Sequence, residues 1–109
     1  VTVAVDEVGG VRRVSLSGRL DAEGLAEVEP EFQAAATAEP NVIVDLSRVE
    51  FLASLGIRML VTASQDQEAQ GGRLVLVGPD DMTRRVLKAT GIDQLVPVHD
   101  TAEDAAAGF

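Results

Sequence analysis

The chain has 109 residues and a formal net charge of −9 at neutral pH, from 18 acidic and 9 basic side chains, and it contains no Cys, Trp or Tyr. Such an acid surplus repels a nucleic-acid backbone or an anionic membrane surface from most faces of the protein. The missing thiols exclude disulfides and thiolate chemistry and suit a reducing, cytoplasmic setting.

The length is that of one domain, residues 1–109. Hydrophobic residues make up 46% of the chain and aromatics 3%, so Val, Leu, Ile and Ala must build the core. No run approaches the roughly 20 apolar residues of a membrane span, so direct membrane insertion is not expected.

In chain order, VTVAV and VRRVSLSGRL flank DEVGG and are rich in strand formers, and Gly9-Gly10 can supply positive φ. A β-hairpin is predicted. Asp21 then offers an N-cap to a helix in which Leu25, Val28, Phe32 and Ala35 or Ala36 recur at near-helical spacing. Pro30 lacks an N–H and clashes with the turn before it, which predicts a kink or a restart.

After Pro40, NVIVDL reads as a short strand buried on both faces, ending near Asp45. The next helix is expected from Ser54 to about Gln70, with Ser54 as its N-cap and Gly71-Gly72 as its stop. At 100° per residue, Ile57, Leu60, Val61 and Ser64 form its sheet-facing stripe. Leu55 and Met59 then project to nearly the opposite side, alongside Arg58 and Asp66, as an exposed apolar patch of the kind that docks partners.

RLVLVG is a further buried strand, PDDMTRRVLKATG a helix, QLVPV a final edge strand, and Thr101 the cap of a short last helix. The order β-β-α-β-α-β-α-β-α predicts a small α/β domain. Its parallel strands and right-handed crossovers follow one antiparallel hairpin.

Reactive chemistry is sparse. His99 is the sole histidine, and neither a metal-binding cluster, a P-loop nor a G-x-G-x-x-G motif is present. Asp45 and Glu50 could pair as carboxylates, but turn formation is the commoner role for acids so placed. Ser54 has no visible base partner. No catalytic activity, metal or cofactor is expected.

A phosphate on Ser54, by contrast, would be tolerated by the free N–H groups and partial positive charge of a helix N-terminus. It would impose a large desolvation cost on anything pressed against Leu55 and Met59. Ser54 therefore has two open roles, a cap and a signal.

With LSGRLD after the second strand, VIVDLSRVEFLASLGIRMLV in the centre, GGRLVLVG and RRVLKATGIDQLVPV, nearly the whole chain resembles a STAS domain. This module is shared by sulfate transporters and bacterial anti-sigma factor antagonists. The central run is similar to the family pattern of a strand, Asp-Leu-Ser, an aromatic, then Asp-Ser-Ser/Thr-Gly-Leu at a helix start. In antagonists of the partner-switching type, the first serine of that pair is phosphorylated by a kinase-type anti-sigma factor.

That serine falls on Ser54 and the following glycine on Gly56, while Ala53 stands where the family has an acid and Leu55 where it has a second hydroxyl. The resemblance implies helices packed mainly on one face of a mixed four- or five-stranded sheet. With the apolar pair beside Ser54, the expected partner surface comprises Asp21, Ala53, Ser54, Leu55, Gly56, Arg58 and Met59. The unphosphorylated form would capture the anti-sigma factor. The alternative expectation is a STAS subunit of a transport system, of the lipid-trafficking ABC transporter type, which needs no phosphoacceptor.

Overall fold

The computed structural model describes all residues, 1–109. Strands β1 (Thr2–Val8), β2 (Val11–Leu20), β3 (Asn41–Leu52), β4 (Arg73–Val77) and β5 (Val98–His99) form one sheet in the order β1-β2-β3-β4-β5. β1 and β2 are antiparallel, joined by Gly9 and Gly10 at φ 58° and 80°. Two consecutive positive φ values make the tight turn that matches strand twist. The remaining pairings are parallel, so each needs a crossover. Helices α1 (Ala22–Thr37), α2 (Ser54–Ala69) and α3 (Asp81–Ala89) supply them, the last with a 3-10 turn at Ile92–Gln94, and α4 (Ala102–Ala107) closes the chain.

Strand alternation sorts the apolar residues onto two faces. Val14, Leu16, Val42, Val44, Leu74 and Leu76 meet α1, α2 and α3 in the main core, where Phe32 and Leu60 are fully buried. The opposite face carries Ile43, Val75 and Val77, covered by Ala102 and Ala105 of α4. The fold is thus a small α/β domain with a five-stranded mixed sheet and its long helices on one side.

Three expected boundaries differ. β3 does not stop near Asp45 but runs to Leu52. Its pairing with β2 shifts between Ser15 and Ser17 and again between Gly18 and Arg19, each time placing an extra residue on β3. These bulges change the burial spacing from two to three, so that Leu46, Val49 and Leu52 all face the core. α1 passes through Pro30 without a restart. The ring and Ala26, whose carbonyl loses its helical donor, are both exposed, so water can satisfy that oxygen.

The expected last strand, QLVPV, shrinks to Val98–His99, because Gln94 is taken into the 3-10 turn and Val96 into the core. Pro97 still serves the sheet through its carbonyl, which accepts from the Leu76 N–H at 2.9 Å.

Gln67 of α2, fully buried, ties the layers together by donating through Nε2 to the carbonyls of Glu39 (2.6 Å) and Pro40 (2.9 Å). No helix is long and apolar enough to cross a membrane.

Candidate partner-binding site

β2 and β3 end side by side, with Leu20 paired to Leu52. The chain leaves β2 through Asp21 into α1 and leaves β3 through Ala53 into α2. The Ala53 N–H donates to the Leu20 carbonyl at 3.1 Å, which continues the sheet pairing one residue past β3. Ala53 is accordingly extended (φ −83°, ψ 169°) and is itself the N-cap of α2, with no side chain to serve that cap. Ser54 is the first helical residue and is exposed. The expectation that Ser54 caps the helix is overturned, because a cap needs the extended backbone that sheet pairing has given to Ala53.

Asp21 does cap α1, accepting from the Gly24 N–H at 3.0 Å. That hydrogen bond, aided by the Arg19 guanidinium with Nε 3.6 Å away, holds its carboxyl below the usual carboxylate range.

The expected orientation of α2 also needs correcting. Its buried residues are Gly56, Met59, Leu60, Ala63, Ser64 and Gln67, with Ile57 and Val61 half-buried at the margin. The sheet-facing stripe is therefore rotated by roughly 80°, less than one residue's step, from the predicted one. Met59 is not an exposed member of an apolar patch; it is 4% exposed and belongs to the main core.

Gly56 is not a surface residue either. A Cβ there would stand 2.7 Å from Leu52 Cδ1 and 3.3 Å from the Leu20 carbonyl oxygen. The missing side chain lets the first turn of α2 press against the ends of β2 and β3, and this close approach sets the helix rotation. Leu55 and Arg58 do face outward, Leu55 at 49% exposure.

The surface that results has three parts. Ser54 sits at its edge. Beside it, Phe51 is 37% exposed with the Arg19 guanidinium 4.6 Å above its ring. Between α1 and α2 runs a groove of about 420 Å³, walled by Leu25, Ala26 and Glu29 on one side and Leu55, Arg58 and Met59 on the other.

Phe51 was missed as a surface contributor, although it occupies the aromatic position of the family pattern. The signal was there, but its exposure depends on the bulges in β3. A larger concavity of about 500 Å³, lined by Asp6, Glu7, Arg12, Glu39 and Asn41, lies at the other end of the sheet, beside the β1–β2 turn.

The remaining candidates have structural places. Asp45 accepts from the Ser47 N–H at 2.8 Å and lies 3.6 Å from Arg13, while Glu50 is exposed. His99 is half-buried in β5, where its carbonyl accepts from Gly78. No group of three or more His, Asp or Glu residues is placed to hold a metal ion.

A family model described as "Mlab, STAS domain" matches residues 3–97. The chain is 30% identical over 109 residues to anti-sigma-F factor antagonist RsfB of Mycobacterium tuberculosis, covering 99% of this chain and 88% of that protein. Among solved structures, an anti-sigma factor antagonist from Mycobacterium paratuberculosis superposes with a TM-score of 0.86 at 32% identity, over 98% of this chain and 92% of the other. An anti-sigma-factor antagonist (STAS) domain protein from Planctomyces limnophilus gives 0.85 at 26% identity, over 97% and 96%.

Proposed function

Because this chain belongs to the STAS domain family and is of the anti-sigma factor antagonist type, we propose that it captures an anti-sigma factor in the cytoplasm and that phosphorylation of Ser54 releases it. The observation that carries this reading is an exposed serine on the first turn of α2, between exposed Phe51 and exposed Leu55. In the unphosphorylated form the partner covers Leu55 and the α1–α2 groove, with Asp21, Ala53, Ser54 and Arg58 around the contact. Met59 and Gly56 act from beneath, one as the buried part of the groove's α2 wall and the other by fixing the rotation of α2.

The anti-sigma factor is of the kinase type. It supplies ATP and the general base; the Ser54 oxygen attacks the γ-phosphorus, the bond to the ADP oxygen breaks, and the hydroxyl proton leaves to the kinase. The added charge of about −2 sits at the helix start, where the Ser54 and Leu55 N–H groups have no backbone acceptor, so the fold is retained. A partner that had excluded water from this surface must now desolvate a dianion, and the complex dissociates.

Incubation with ATP and the cognate anti-sigma factor, followed by intact mass, is expected to show one added phosphate that the Ser54→Ala variant does not acquire. Ser54→Ala keeps its affinity for the partner, whereas Ser54→Glu loses about 100-fold. If the wild-type chain gains no phosphate, or gains it at another residue, the switching mechanism is wrong. The transport-subunit alternative draws on Ala53 and Leu55, which replace the family's acid and second hydroxyl. Recovery of a membrane ATPase in place of an anti-sigma factor would establish it.

A further inference from the structure

Ser54 and Arg58 stand one turn apart on α2, and both are exposed. Four residues advance the helix by about 40° beyond a full turn, so the two side chains lie nearly one above the other. The anionic position would be N-terminal to the cationic one, the better order for such a pair. Arg58 has no acidic side chain within ion-pair distance. The ion pairs of this fold engage Arg13, Arg19 and Arg84. In a chain with twice as many acids as bases, a partner would be easy to provide, yet the first turn of α2 contains no acid. The unpaired guanidinium instead forms part of the groove wall beside Leu55.

We propose that Arg58 reads the phosphorylation state of Ser54, an inference that rests on the phosphoswitch reading above. While Ser54 is unmodified, the Arg58 guanidinium is free and donates to a carboxylate of the anti-sigma partner, whose apolar side chains lie on Leu55 and in the groove. The charge distribution favours this occupant: Arg58 is the one cation of the groove, no acid on the α2 wall pairs with it, and Glu29 lies on the facing wall. Once Ser54 is phosphorylated, its oxygens accept hydrogen bonds from Arg58 across one helical turn. The groove then loses its cation while keeping Glu29 on the facing wall, and the partner's carboxylate meets net negative charge. Phosphorylation thus acts twice, by adding a dianion and by withdrawing the residue that held the partner.

The test separates this inference from the reading beneath it. Phosphoserine is placed at position 54 by ribosomal incorporation, so no kinase is needed, and the phosphate is titrated by phosphorus NMR in the wild type, Arg58→Gln and Arg58→Lys. The second titration midpoint, ordinarily at about pH 6, is expected to lie below that in the wild type. It should rise by roughly half a pH unit in Arg58→Gln and by less in Arg58→Lys. Identical midpoints in wild type and Arg58→Gln overturn the capture.

In the unphosphorylated state, Arg58→Gln is expected to weaken binding to the cognate anti-sigma factor about tenfold by calorimetry, with the thermal midpoint unchanged. Equal affinity overturns the role of Arg58 in holding the partner. A kinase that never modifies Ser54 would defeat the proposed function yet leave the titration result standing.

Discussion

Ser54 and Asp80 look alike in the sequence, each a small polar residue ahead of a helical run, but only Asp80 is a cap. It is extended (φ −70°, ψ 175°) and its carboxylate accepts from the Thr83 N–H at 2.7 Å. That hydrogen bond holds its carboxyl below the ordinary carboxylate range. At Ser54 the same role was displaced by one residue, because Ala53 is still paired to β2. The two cases separate at the level of a single backbone hydrogen bond, which local sequence does not reveal.

Asp80 also carries a pH dependence whose direction follows from its lowered folded value. On acidification the unfolded chain takes up the proton first, so the contribution is complete above the ordinary carboxylate range and is lost as pH falls through the folded value. Asp80→Ala is expected to cost about 1 kcal/mol at pH 7, a cap-sized loss at an exposed site. The gap to wild type in urea unfolding should narrow by pH 3. A gap that is the same at both pH values would show that the carboxylate is not the capping group.

At the scale of elements, apolar spacing located α1 and α2 and end signals located α3 and α4, while the neighbours of each helix decided how it sits. α1 was identified from Leu25, Val28, Phe32 and Ala35 or Ala36; of these Leu25, Val28, Phe32 and Ala36 are buried and Ala35 is half-buried. Pro30 did not break it, since an exposed carbonyl can be hydrated and the rest of the face is held by the core. The missing hydrogen bond still has a cost. Pro30→Ala is expected to stabilise the protein by about 1–2 kcal/mol, less than the full helix-interior difference because proline also stiffens the unfolded chain. The thermal midpoint should rise by roughly 5 °C or more. A lower midpoint would mean that the proline ring makes a contact worth more than the restored bond.

α2 shows the opposite balance. Its bulkiest periodic residues suggested one face, but the small residues Gly56 and Ala63 lie on the buried one, with Gly56 pressed against the ends of β2 and β3. Close packing rewards small residues where backbones meet, and a hydropathy count does not weigh them that way.

For the molecule as a whole, the sheet is covered unequally. Three helices and 20 buried residues fill one side, whereas the other side has a cluster of five, with only alanines supplied by α4. The end of the chain adds polar ties. Arg73 donates to the Gly108 carbonyl and lies over the Phe109 ring, and Thr101 caps α4 by accepting from the Asp104 N–H at 3.1 Å. Ala105→Asp, which puts a carboxylate against Val75, Val77 and Ile43, is expected to cost about 2–4 kcal/mol. Hydrogen exchange should show α4 amides losing protection while β2 and β3 keep theirs. Unchanged exchange in α4 would mean that its contact with the sheet contributes little.

The sequence by itself determined the order of the strands and α-helices, the hairpin, the caps at Asp21 and Thr101, and the parallel α/β plan. These depend on spacing and on interactions between residues close in the chain. The tertiary structure alone decided where β3 ends, how short β5 is, which face of α2 is buried, and that Met59 lies inside while Phe51 lies outside. Each of those outcomes turns on a distant partner: the bulged register against β2, the Leu76 N–H for Pro97, and the ends of β2 and β3 against Gly56. A residue's burial is set by what packs against it, and the linear chain does not state which surfaces will meet.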